Sequence, residues 1–232
     1  MDIGKSFTFV FEDDAWITKL LLAAAILLLG VLFSWLLLIP LILALALLGG
    51  YGVAITRQVI GGELNKLPEW DDWGALIADG LKVIVVGIVY ALPLIIIALC
   101  LSLPIAIFAE NSQGLASLFS LLLSCLSLLW AIVVSITLPA AIAFWVAADD
   151  LSAAFRFGDV LGFVRDNLAT YLITFLMSWV ANFIGELGWV VCGVGWLVTA
   201  PYALMVTGHL YGQAYTEGMG QAAEPTLEEE LA

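Results

Sequence analysis

The sequence predicts an all-α fold: a polytopic membrane bundle of six transmembrane helices arranged as three helical hairpins. Three observations carry that prediction. First, 63% of the 232 residues are hydrophobic and only 12% are charged, with a mean hydropathy of +1.11. A soluble domain is about half apolar and a quarter charged, so too few polar side chains remain here to cover a water-facing globule. Second, the apolar runs are longer than the roughly 18 residues a bilayer crossing requires. Third, the runs fall in pairs separated by short polar turns, as antiparallel helices require.

The chain opens on a mixed segment. Residues 1–15 contain five charges and no short apolar core ending in small residues, so no secretory signal is expected. Residues 20–56 then run without a charge. That is too long for one helix across a core about 30 Å thick. Ser34-Trp35 offers an interfacial stop, and Pro40 suits the first turn of a new helix. Spans one and two are therefore drawn at about 18–36 and 40–60.

Span three occupies residues 81–108 and span four residues 115–148, with "AENSQG" (109–114) between them. Both are long enough to tilt. Spans five (about 168–185) and six (about 189–211) flank the turn "GELG" (185–188).

Six spans put both termini on one side. Lys5, Lys19, Arg57, Lys66, Lys82, Arg156 and Arg165 are all the basic residues of the chain, and all fall on that side. The positive-inside rule makes it the cytoplasm. The expected location is the plasma membrane, multi-pass, with both termini cytoplasmic. Only Glu110 and Glu186 are ionisable on the opposite face, in very short turns that leave little outside to bind a partner.

Each span pair follows a short amphipathic segment. Ile3, Phe7, Val10 and Phe11 share a helical face, as do Trp70, Trp73, Ile77 and Leu81, and Phe157, Val160, Leu161, Val164 and Leu168. Each segment ends on a comparable acidic step, at Asp13, Asp79 and Asp166. The sequence therefore predicts three copies of one unit, an interfacial helix followed by a hairpin, over residues 1–62, 63–149 and 150–212. Repeats of two spans keep one orientation and are related by an axis along the membrane normal.

In the middle copy, Pro68 is expected to start a helix with Glu69, Asp71 and Asp72 in its first turn, at the positive end of the dipole. Trp70 and Trp73 are the expected anchors at headgroup level, with Asp72 and Asp79 facing water. The same surface would serve for docking a cytosolic partner.

Two stretches carry a resemblance. "MDIGKSFTFVFEDDAWITKLLL" (1–22) and "GYGVAITRQVIGGELNKLPEWDDWGALIADGLK" (50–82), above all the string "LPEWDDWG", resemble the prokaryotic membrane family known as domain of unknown function 4013. The similarity is clear over about residues 1–95; beyond that it is mainly hydropathy and span count. It implies a multi-span membrane protein of bacteria or archaea with no agreed activity, and it brings no catalytic or binding residues.

An ionisable residue within a span would mark a functional site, but none falls clearly at the middle of one. Lys19 and Lys82 lie at span starts and can snorkel. Glu186 is read as an interfacial turn residue, with the lining of an outward cavity as the alternative. His209, the single histidine, is read as a hydrogen-bonded packing residue, with proton handling as the alternative. Ser117, Ser120, Ser124 and Ser127, continued by Ala131 and Ser135, form one face of span four. Small hydroxyl residues at that spacing suit close helix packing, or alternatively a permeation path.

Cys100, Cys125 and Cys192 lie in apolar runs at spacings that fit no metal site and read as packing residues. No phosphate-binding loop, nucleophile elbow or metalloprotease motif is present, and no cofactor is expected. The net charge of −13 argues against nucleic acid as a partner. The tail, residues 213–232, is acidic and expected to be disordered. Expected partners are membrane lipids and another membrane protein or a second copy of this chain. The function expected is a non-enzymatic scaffold or accessory subunit; a transporter or channel for a lipid-like or small neutral solute is the alternative.

Overall fold

The computed structural model describes residues 1–35, 38–190 and 193–230; for Asn111 and 221–230 it describes the backbone only. Cys192 and the last two tail residues lie outside the described residues. Eight α-helices are described, and no strand is found among the described residues: α1 (Ile3–Glu12), α2 (Trp16–Leu32), α3 (Ile39–Ile60), α4 (Trp73–Asn111), α5 (Gln113–Ala148), α6 (Phe157–Asp166), α7 (Leu168–Leu187) and α8 (Trp196–Glu230).

Four stretches are each long and apolar enough to cross a membrane: Ile39–Ile60, Trp73–Glu110, Gln113–Ala148 and Leu168–Val190. The pair α1 and α2, bent by 95°, makes a fifth when taken together. α8 mixes Thr, His, Gln and Gly into its apolar run and is not among them.

Breaks between helices follow local chemistry. Asp2 caps α1 by accepting from the Lys5 amide, and Asp72 caps α4 by accepting from the Ala75 amide. Pro40 sits in the first turn of α3, where a missing N–H costs nothing. Asp149 ends α5 in the left-handed conformation. The turn between α4 and α5 is a single residue, Ser112, in extended backbone. The turn after α7 falls later than "GELG": α7 runs on to Leu187, and a short 3₁₀ turn at Gly188–Val190 follows.

Two short amphipathic helices pack on the bundle, with faces partly different from those expected. α1 buries Ser6, Phe9 and Val10, while Phe11 is 51% exposed. α6 buries Val160 and Val164 but leaves Phe157 and Leu161 exposed. The middle segment departs further. Pro68 starts no helix; residues 63–72 hold none, and α4 begins at Trp73 and continues unbroken.

The core gathers near the termini. Phe9, Leu27, Leu47, Tyr51, Ile55 and Met205 form one cluster; Val86, Tyr90, Trp145, Val160 and Tyr171 form a second. Glycines allow the closest helix contacts. A Cβ on Gly80 would come within 1.6 Å of the Ala46 carbonyl oxygen, and one on Gly50 within 1.8 Å of the Leu76 carbonyl oxygen. Backbone therefore touches backbone, as small residues permit where helices pack in membranes.

These two contacts fix the register of α4 against α3, and the two helices run antiparallel. From Ala46 only seven residues of α3 remain toward Ile39, whereas 31 residues of α4 remain from Gly80 to Asn111. At 1.5 Å per residue the α4–α5 hairpin extends roughly 36 Å past the start of α3. Pro93 and Pro104 lie within α4, and Pro139 within α5. The Trp130 indole donates to the Tyr90 carbonyl (2.9 Å), just before Pro93, where a proline loosens helical bonding. Among the described residues, none in 91–136 is buried.

Candidate functional site

The acidic, aromatic stretch that precedes α4 folds back onto α2 and α3. Trp70 stacks on Tyr51 with ring centroids 4.1 Å apart and planes 4° from parallel, and the Tyr51 hydroxyl donates to the Pro68 carbonyl (2.9 Å). Trp73 is exposed, and its indole donates to the Trp70 carbonyl. Trp70 is thus half-buried against the core, while Trp73 and Asp72 face outward.

Lys19 does not snorkel to water. It is 4% exposed and donates to Asp13 (3.0 Å), Glu69 (2.7 Å) and the Leu67 carbonyl (3.0 Å). Asp13, 6% exposed, also accepts from the amides of Ala15 and Leu67. Burial pushes the Asp13 carboxyl up, but the Lys19 ammonium and these amides outweigh it and hold it below its ordinary value. The cluster ties the α1–α2 break to the segment before α4.

Asp79 does not face water either. It is buried and accepts from Arg57 (3.1 Å) on α3 and from Lys82 (2.7 Å) one turn on. Lys82 lies 5.4 Å from the centre of the Trp145 ring. A position read as a solvated acid thus joins α3, α4 and α5, because the close approach of α3 at Gly80 covers it.

His209 is fully buried at the contact of α1 with α8. Its Nδ1 lies 3.0 Å from Ser6 Oγ and 3.2 Å from Gln213 Nε2, and its Nε2 lies 3.2 Å from the Leu64 carbonyl. Phe9 packs on the ring at 4.2 Å. Gln213 holds Asp2 through both its amide groups, and the N-terminal ammonium pairs with Glu217. Residues 213–220, grouped with the tail by composition, thus continue α8 and clasp the first residues of the chain.

The serine face stands apart from all of this. Ser117, Ser120 and Ser124 are exposed and Ser127 is half-buried. The Ser124 hydroxyl donates to the Ser120 carbonyl and the Ser135 hydroxyl to the Ala131 carbonyl. The first four do not pack inside the bundle, because the outer half of α5 has few neighbours other than α4. Cys100 and Cys125 are likewise exposed on that hairpin rather than packed in the core.

Glu186 lines a groove. Between α5 and α7 lies an opening of about 450 Å³ bordered by Ser135, Ser178, Trp179, Asn182, Phe183 and Glu186. Ser178, Asn182 and Glu186 recur every four residues along α7, and Thr170 and Thr174 extend the same strip toward its start. The Asn182 amide donates to the Ser178 carbonyl (2.7 Å), while the buried Ser178 hydroxyl has no partner. Sequence reading singled out Glu186 alone, although the four-residue spacing of polar side chains was a signal available in the sequence. A second opening, of about 300 Å³, lies under α6 and is almost wholly apolar, bordered by Val89, Trp130, Val133 and Leu161 among others.

Among the described residues no group of three or more His, Cys, Asp or Glu is placed to hold a metal.

Fold and surface together define a multi-pass, all-helical membrane protein built on long apolar helices. Residues 32–194 match the model of the family described as "Protein of unknown function (DUF4013)", so the chain belongs to that family. The match reaches about a hundred residues past the stretch where the resemblance is plain by eye, and it omits the first 31. Comparison with curated proteins and with solved structures gave no match.

Proposed function

We propose that this protein is a non-enzymatic membrane scaffold or accessory subunit, and that its α4–α5 hairpin is the surface on which it meets another membrane protein or a second copy of itself. The observation that carries this reading is the hairpin itself. It extends far past α3, and none of its described residues in 91–136 is buried. Leu99, Leu103, Leu118, Leu121 and Leu128 are all exposed along it. Ser117, Ser120 and Ser124 supply hydroxyls on the same surface, and such groups hydrogen-bond between helices where water is scarce.

The accompanying topology has α2, α3, α4, α5, α7 and α8 as crossings and both termini in the cytoplasm of a prokaryotic cell. Its support is that six of the seven basic residues lie in α1, the connections, or the helix turns beside them, and that the seventh, Lys82, lies in the third turn of α4, nearer its start than its end. In that arrangement α1 and α6 are the membrane-side amphipathic helices of two repeats, and Trp73 with Asp72 anchors the third.

Passage of a lipid-like or small neutral solute is the second reading. It has the α5–α7 groove in its favour rather than the serine face. Crosslinking in native membranes from single cysteines at Leu103 and Leu118, in a background lacking the native cysteines, tests the scaffold reading. Defined crosslinked species are expected, and substituting Ser120 and Ser124 by Leu is expected to shift them. A hairpin that crosslinks to nothing, in a protein that purifies as a monomer without a partner, overturns it.

A further inference from the structure

The α5–α7 groove is lined by polar and aromatic side chains. Its polar wall is Ser135 on α5 with Ser178, Asn182 and Glu186 on α7; beside them on α7 are Trp179 and Phe183, both exposed. From Phe175 to Glu186 the groove follows α7 for about 16 Å at the helical rise. Its far end reaches Tyr211 on α8.

The unused hydrogen-bonding capacity of the polar wall is mostly acceptor. A carboxylate only accepts, and among the described residues the Glu186 carboxylate has neither an ion pair nor a hydrogen bond. One N–H of the Asn182 amide is given to the Ser178 carbonyl, which leaves its oxygen and one N–H. The Ser135 hydroxyl is spent on the Ala131 carbonyl, which leaves its lone pairs. The Ser178 hydroxyl is buried and, among the described residues, unpartnered, an arrangement that costs free energy unless a ligand completes it. No Lys or Arg borders the groove.

A cation that donates several hydrogen bonds satisfies such a wall, and an ammonium donates three. Trp179 supplies an aromatic face for the same charge. The apolar length toward Tyr211 then takes a hydrocarbon chain. We infer that the α5–α7 groove binds a cationic amphiphile, a primary ammonium on a single apolar chain, with the ammonium between Glu186 and Asn182 and the chain running toward Tyr211. This goes beyond the scaffold reading and does not depend on it.

Native mass spectrometry of the detergent-solubilised protein, titrated with dodecylamine and separately with dodecanol, tests the assignment. One saturable dodecylamine site is expected, filled at concentrations at least tenfold lower than dodecanol requires. Glu186→Gln is expected to weaken dodecylamine at least tenfold and leave dodecanol unchanged. Ser178→Leu, which fills the groove, is expected to weaken both. Thermal melting of each variant identifies misfolding; Asn182→Leu then stands in for Ser178→Leu, and Glu186→Ala for Glu186→Gln. Displacement of dodecylamine by phosphatidylethanolamine supports the site with a phospholipid headgroup as the source of the ammonium. Lack of displacement supports it with a free amine. Equal binding of amine and alcohol, or an unchanged amine affinity in the Glu186 variants, overturns the proposal. A groove closed by a second copy, seen as a dimer crosslinked through a cysteine at Asn182, overturns it as well.

Discussion

Gly80 lies directly against the backbone of Ala46, so close that a side chain on it would meet the Ala46 carbonyl carbon at 2.4 Å. This contact sets the height of α4 on α3, brings Asp79 within reach of Arg57, and makes the α4–α5 hairpin stand clear of its neighbours.

Gly80→Ala is accordingly expected to force α3 and α4 apart. Overpacking of this kind costs about 1–3 kcal/mol. At this chain length that lowers the melting temperature by roughly 2–12 °C, readable by thermal melting in detergent. Gly87, with nothing within 4 Å of its Cβ position, is the control. Gly87→Ala should be neutral or stabilise by up to about 1 kcal/mol, the difference in helix propensity. Equal effects at the two positions would remove the register argument.

The Lys19 cluster makes a prediction about pairing. Lys19→Met leaves Asp13 buried without its cation, which costs about 3 kcal/mol or more. Adding Asp13→Asn to that variant should recover part of the loss, since the uncompensated charge is then gone. Glu69→Gln should cost under about 1 kcal/mol, because the Glu69 side chain is 58% exposed. Denaturation of the three variants in one detergent ranks them.

The same aspartate predicts an acid limb in stability. The Asp13 carboxyl is held below its ordinary value in the folded protein. Its contribution is therefore complete above the unfolded pKa of about 3.9 and drains away as pH falls through the lower folded value. Melting temperature should show no Asp13-dependent change between pH 5 and 8. Below about pH 4 the wild type should lose stability more steeply than Asp13→Asn. Parallel curves for the two proteins would refute the linkage.

At the clasp of α1 on α8, His209→Ala removes the partner of Ser6 and opens space beneath Phe9. We expect α1 to detach before the rest of the bundle unfolds, since local opening follows the least-held element. Limited proteolysis near the α1–α2 break should accelerate at least tenfold, while the global melt shifts by only a few degrees. Proteolysis at the wild-type rate would assign the hold on α1 to Gln213 and Tyr202 instead.

The helices α2, α3, α5 and α7 were legible within a few residues, because runs of apolar side chains bounded by Pro, Ser and Asp can form little else. The short polar turn between α4 and α5 read off equally well, since a turn as short as Ser112 leaves α5 nowhere to go but back along α4. Other features were not legible. Phe11 was assigned to the buried face of α1 and Asp79 to water, because helical spacing states which residues share a side but not which side a neighbour covers. Lys19 read as a snorkelling cation because its partners Glu69 and Leu67 lie about fifty residues away.

The chain's own order of residues thus determined composition, helix content and the turn that folds α5 back along α4, all of which are local properties. Tertiary structure alone decided the heights at which α3 and α4 meet, through Gly50 and Gly80, and from those heights the ion pair of Asp79 with Arg57 and the outstanding hairpin; it also brought α5 and α7 together around the groove at Glu186. The physical reason is that hydropathy acts residue by residue, whereas register is set where two backbones touch, and that contact involves residues far apart in the chain.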